Sequence, residues 1–157
     1  MLRKAYKFYR LIFLNGFSTY TTINTLSAFT DRGALSADKA LGATITSDGQ
    51  YKSQVASYVN DGNPSTYWES ASASVGNLAW LKIEFPTAVE IVRIDILSSV
   101  YPNERPRNFK VQVSDDGVAW VDILYVKDLL LDGQVSHLKI MCLMLTIFLS
   151  LALAEKT

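Results

Sequence analysis

The sequence predicts an all-β fold, an antiparallel jelly-roll β-sandwich, and three observations carry that prediction. Apolar and polar residues alternate over residues 78–85 (L-A-W-L-K-I-E-F), 89–97 (V-E-I-V-R-I-D-I-L) and 109–114 (F-K-V-Q-V-S), the period of a strand with one buried face. Clusters of turn residues separate these runs, and no segment sustains a helical period. Hydrophobic residues make up 49% of the 157 residues and charged residues 19%, enough to build one core in one domain with a short appendage.

Taken in order, residues 4–14 are aromatic and β-branched and read as a strand, and Asn15-Gly16 is the strongest two-residue hairpin signal in the chain. Residues 19–29 alternate in turn, so the sequence predicts an opening β-hairpin. Residues 31–50 are small and polar, with Gly33, Gly42 and Gly49 as punctuation, and read as a surface passage holding one short strand at 43–46. Periodicity leaves residues 51–59 open between a helical turn and extended chain. Residues 70–77 form a polar loop. In the strand at 78–85, Trp80 and Lys82 share one face and Leu81, Ile83 and Phe85 the other. In the next strand Arg93 and Asp95 are expected to face solvent. Pro102 and Pro106 make 101–107 a loop, because proline cannot donate to a ladder. Asp115-Asp116-Gly117 turns the chain into a return strand at 119–126. The segment 136–157 contains a 15-residue apolar run, 140–154, against the ~20 residues that span a bilayer. It is expected as the last strand of a sandwich that otherwise occupies residues 1–135, or as an interface or anchor element; a membrane is the weaker reading.

Charge and chemistry narrow the function. Fifteen basic residues balance fifteen acidic ones, which removes the electrostatic case for a nucleic-acid partner. Arg3, Lys4, Lys7 and Arg10 are locally basic but alternate with Tyr6, Phe8 and Tyr9 as on a half-buried strand. The apolar run 11–14 is too short for a classical signal peptide. Cys142 has no partner for an internal disulfide and reads as a buried thiol. His137, the sole histidine, has no flanking nucleophile elbow or second soft ligand. Carboxylates such as Glu69, Glu84, Glu90, Glu104 and Asp122 are scattered, and no phosphate loop or dinucleotide fingerprint is present. The expectation is a protein that is not an enzyme.

The densest stretch is 58–70, Y-V-N-D-G-N-P-S-T-Y-W-E-S. Asp61-Gly62 and Asn63-Pro64 are turn signals, and the oxygens of so tight a turn converge as a hard cation requires. Trp80 and Trp120 are expected in the core; Tyr67 and Trp68 fit core or surface equally. Exposed aromatics with Arg and Asn nearby suit sugar rings and their hydroxyls.

The motifs V-N-D-G-N-P-S-T-Y-W-E-S, L-A-W-L-K-I-E-F, V-E-I-V-R-I-D-I and R-P-R-N-F-K-V-Q-V-S-D-D-G-V-A-W resemble, in that order over residues 56–123, the coagulation factor 5/8 type C or discoidin domain, which overlaps with the family 32 carbohydrate-binding modules of the galactose-binding-like fold. Residues 5–29 are similar to the segment that closes such domains, here placed first, an arrangement that bacteriophage tail and virion proteins often carry. The resemblance implies a jelly roll with a structural calcium under the turn, Asp61, Asn63 and Thr66 being the matching ligands. The glutamate that the family adds from its closing strand is absent, with Thr25 and Ser27 in the matching stretch, so the implied site is weak or replaced by hydrogen bonds. The paired cysteines of animal members are absent as well. It also implies a loop end that binds cell-surface glycan through Tyr101, Asn103, Arg105, Arg107, Tyr67 and Trp68, on a virion surface with several copies per particle. The alternative is a purely structural virion subunit that binds other virion proteins through 140–154. On either reading, 61–66 is expected to act chiefly as a structural knot.

Overall fold

The computed structural model describes residues 4–16, 19–71, 78–98, 101–127, 137–141 and 153–154. In chain order the strands are β1 (Tyr6–Gly16), β2 (Thr22–Ile23), β3 (Thr25–Phe29), β4 (Thr44–Ser47), β5 (Trp68–Glu69), β6 (Ala79–Val89), β7 (Arg93–Leu97), β8 (Pro106–Ser114), β9 (Val121–Val126), β10 (His137–Met141) and β11 (Leu153–Ala154). Short 3-10 turns at Ala40–Gly42, Ala56–Asn60 and Pro102–Glu104 are the helical elements among the described residues.

Every strand pairing among the described residues is antiparallel. One sheet has the order β4-β6-β1-β8-β9, a second the order β11-β10-β7-β3, and β2 and β5 form a small ladder of their own. The core lies between the two large sheets. From the five-stranded sheet come Tyr9, Leu11 and Phe13 of β1, Leu81 and Ile83 of β6, and Phe109, Val111 and Val113 of β8. From the other sheet come Leu26, Ala28, Ile94, Ile96, Leu138 and Ile140. Burial of every second residue on strands of 5 to 11 residues is what the alternation in the sequence demands.

The opening hairpin is corrected. Asn15 and Gly16 remain in β1, opposite Asn108 and Pro106 across register shifts, and β3 lies in the other sheet against β7. Both edges of β1 are occupied, by β6 on one side and β8 on the other. An Asn-Gly pair makes a hairpin only when its flanking strands are each other's best partners. Here the longer alternating strands β6 and β8 bury more of β1 than β3 would.

Arg93 is also corrected: it is 8% exposed. Its guanidinium forks onto Asp95, Nε to Oδ1 at 2.5 Å and Nη2 to Oδ2 at 2.6 Å, while Nη1 donates to the Arg32 carbonyl at 2.9 Å. Residues two apart on a strand share a face, so the two charges neutralise each other where the loop around Arg32 covers the sheet. Trp80 and Trp120 are half-buried on the outside rather than in the core. Trp80 lies on the opposite parity from Leu81 and Ile83, and the Arg10 guanidinium stacks 4.0 Å from the Trp120 ring centre.

Other elements follow the sequence closely. The short strand of the polar passage is β4, and residues 51–59 resolve in part into the 3-10 turn at Ala56–Asn60; the loop expected over 101–107 is shorter, because Pro106 and Arg107 open β8, the first strand position being one a proline can take. The β8–β9 hairpin turns at Gly117, φ +76°, where a Cβ would meet the Phe8 ring at 3.4 Å. His137 opens β10, which runs beside β7. Cys142, residues 142–152 of the apolar run, and most of the loop at 70–77 lie outside the described residues. Among the described residues no helix is long and apolar enough to cross a membrane.

Candidate functional site

The best-defined site grows from Trp68. Its side chain is fully buried, packs 5.9 Å from the Phe13 ring centre and donates Nε1–H to the Gly49 carbonyl at 3.1 Å. Trp68 therefore anchors the loop and offers no surface to a ligand. Side chains alternate along a strand, so anchoring Trp68 inward sends Tyr67 and Glu69 the other way. Backbone bonds then tie three segments together: Tyr51 N–H to the Glu69 carbonyl, and Thr21 and Ser70 to each other through Ser70 N–H to Thr21 O and Thr21 N–H to Ser70 Oγ.

The result is a cluster of aromatic and charged side chains. Tyr67 meets Tyr101 edge to face, ring centres 5.6 Å apart and hydroxyls 3.4 Å apart. Tyr101 is exposed and immediately precedes the Pro102–Glu104 turn, on which Asn103 is also exposed. Beside them, Thr22 Oγ1 donates to the Glu104 carboxylate. Tyr20 and Tyr51 pack at 5.2 Å, and the Lys52 ammonium sits 4.7 Å over the Tyr51 ring.

Electrostatics link these groups. The hydrogen bond with Tyr101 comes first among the causes that push the Tyr67 hydroxyl up to about 12, followed by burial and by the charges of Tyr101, Glu69 and Glu104. Tyr67 is thus a neutral hydrogen-bonding group at any physiological pH. Burial raises the Glu69 carboxyl, the Glu104 charge raises it further, and Lys52 opposes both. Proximity to Tyr51 raises the Lys52 ammonium.

Of the six residues that the sequence marks for ligand contact, the structure brings Tyr67, Tyr101 and Asn103 to the surface. Arg105 is 5% exposed and donates Nε–H to the Ser98 carbonyl at 2.9 Å, while Ser98 Oγ in turn donates to the Thr22 carbonyl. It is a strut beneath the turn. Arg107 is half-buried at the start of β8. Sequence reasoning missed Glu69, Glu104, Lys52, Tyr20 and Tyr51. The signal for Glu69 lies in Tyr67-Trp68-Glu69 itself, legible once the tryptophan is known to point inward; the others come from distant segments.

The turn 61–66 is self-bonded. Asp61 Oδ1 accepts the Asn63 N–H at 2.8 Å, Asn63 Oδ1 accepts the Ser65 N–H at 3.0 Å, and Thr66 Oγ1 lies 2.8 Å from Asp61 Oδ2 and 2.7 Å from the Asn63 carbonyl. On the flank of the four-stranded sheet, a groove of about 420 Å³ runs between this turn and Thr25, Ser27, Asp38, Leu41 and Asp95. Among the described residues no three His, Cys, Asp or Glu side chains gather as a metal centre.

No curated protein and no solved structure matches this chain. A family model, the F5/8 type C domain, matches residues 42–139, from just before β4 into β10. The match covers more than half of the chain and coincides with an antiparallel β-sandwich of the galactose-binding-like kind, and the chain belongs to the F5/8 type C domain family.

Proposed function

We propose that this chain is a non-catalytic binding module that takes up cell-surface glycan at the loop end around Tyr67 and Tyr101, on the surface of a phage particle. The observation that carries the reading is the edge-to-face pair of half-buried Tyr67 and exposed Tyr101, with the Glu104 carboxylate, the Lys52 ammonium, the Asn103 amide and the buried Glu69 carboxylate around it. An aromatic edge and face supply an apolar platform for a sugar ring, and the flanking polar groups give directional bonds to its hydroxyls. Family membership supports ligand binding in general. The virion setting rests on the position of the 5–29 segment ahead of the motifs it usually follows. A particle presenting many copies converts weak single-site affinity into firm attachment.

A glycan array probed with the wild-type chain and with Tyr101→Ala tests the reading. The wild type is expected to select a subset of glycans and the variant to give weaker signals on them at unchanged melting temperature. An array that stays silent for multivalent wild-type chain, or that responds equally to both, removes the glycan reading and leaves the structural-subunit alternative.

A further inference from the structure

Asn24 occupies the short break between β2 and β3, where the chain passes from the small ladder into the four-stranded sheet. It is fully buried, and its backbone N–H donates to the Leu97 carbonyl at 2.8 Å. Its carboxamide Nδ2 reaches two carbonyl oxygens of the turn, Pro64 at 3.2 Å and Thr66 at 3.4 Å. The two acceptors fix the orientation of the amide, since the oxygen in that place would confront two carbonyl oxygens.

We propose that the Asn24 carboxamide closes the 61–66 turn in place of a cation, so that the sandwich of this chain is independent of calcium. Calcium takes six to eight oxygens, and backbone carbonyls with carboxylates are its usual partners. The oxygens that converge here are already engaged. Pro64 and Thr66 carbonyls accept from Asn24, Asp61 Oδ1 accepts from Asn63, and Asp61 Oδ2 faces the Thr66 hydroxyl. Asp61 is the one carboxylate of the turn; of the other carboxylates lining the adjoining groove, Asp38 Oδ1 accepts the Ala28 and Ala40 N–H groups and Asp95 is held by Arg93, while β3 adds only the hydroxyls of Thr25 and Ser27 there. A single carboxylate leaves a divalent ion with uncompensated charge against a buried amide. The donor set therefore does not fit a calcium, and it fits the two N–H bonds of a primary amide.

The same geometry makes a conversion possible. Asn24→Asp replaces the amide by an oxygen that faces the Pro64 and Thr66 carbonyls, which repels in the absence of a cation and supplies the missing second carboxylate in its presence. The test is the melting temperature of the full chain in chelator and in excess calcium, together with a calorimetric titration of calcium into the wild type. The wild type is expected to melt at the same temperature in both and to release no binding heat. Asn24→Asp is expected to melt earlier in chelator and to recover with calcium. Asn24→Ala, which leaves the Pro64 and Thr66 carbonyls without their donor, is expected to melt earlier in both, and it serves if the aspartate variant does not accumulate. A wild-type melting temperature that rises with calcium, or an Asn24→Asp variant as stable as the wild type in chelator, overturns the proposal.

Discussion

Glu69 keeps a carboxylate where the fold would be more stable without one. It is 7% exposed, and burial together with the charge of Glu104 raises its folded-state value above the ordinary 4.5. The sign follows from linkage: a group that binds its proton more tightly when folded adds stability below its unfolded value and loses that contribution as pH rises through the raised one. At neutral pH the ionised Glu69 is therefore a cost, retained beside Tyr67 at the surface cluster. Glu69→Gln is expected to raise the melting temperature at pH 7, with the difference from wild type shrinking as pH falls toward 4, while glycan binding weakens. Melting curves across that range read it directly; a variant less stable than wild type at pH 7 contradicts this account. Such a residue is hard to find in sequence, because nothing in Trp-Glu-Ser distinguishes an open surface carboxylate from one buried by segments distant in the chain. Trp68 itself fits core or surface until Phe13 and Gly49 are seen to close over it.

Strand β1 shows how far alternation reaches. Within it Tyr9, Leu11 and Phe13 are buried and Arg10 and Ile12 half-buried, while Tyr6 and Phe8, of the opposite parity, are buried as well across a register shift. Its partners were not legible, because Asn15-Gly16 is a local signal and pairing is decided by which strands bury the most apolar surface together. The β8–β9 hairpin succeeded where the first failed. Asp115-Asp116-Gly117 joins strands that do pair, and Asp116 Oδ1 accepts the N–H groups of Val118 and Ala119 to fix the turn. Leu11 sits at the centre of β1, fully buried and flanked by Leu81 and Val111 on the adjacent strands. Leu11→Ala is expected to cost about 2–5 kcal/mol, the range for emptying a packed leucine site. Denaturant titration measures it; a loss below about 1 kcal/mol would mean that β1 is not the spine of the sheet.

At the scale of the whole molecule, the family match and the folding unit differ in extent. The match begins at residue 42, yet the centre of the five-stranded sheet is β1 and an edge of the other sheet is β3, both upstream of it. A fragment of residues 42–139 would leave β6 and β8 without the strand that lies between them, exposing Leu81, Ile83, Val111 and Val113. It is expected to show no cooperative unfolding transition, whereas the same fragment mixed with a peptide of residues 4–30 regains one. A fragment that melts cooperatively alone would show that the upstream strands are ornamental. The all-β antiparallel sandwich was legible in alternation and turn residues. The assembly of the site was not, because Tyr20, Tyr51, Lys52, Tyr67 and Tyr101 come from four separate stretches that only the packed sheets bring together.

The central claim is that this loop end binds glycan through its paired tyrosines. Calorimetric titration of the best array glycan into wild type and Tyr101→Ala tests it most directly. The ring contact should be worth about 0.5–1.5 kcal/mol, a loss of roughly two- to tenfold in affinity, with the melting temperature held because Tyr101 is 42% exposed and lies outside the core. Equal affinities for the two proteins, with both folded, would contradict the account.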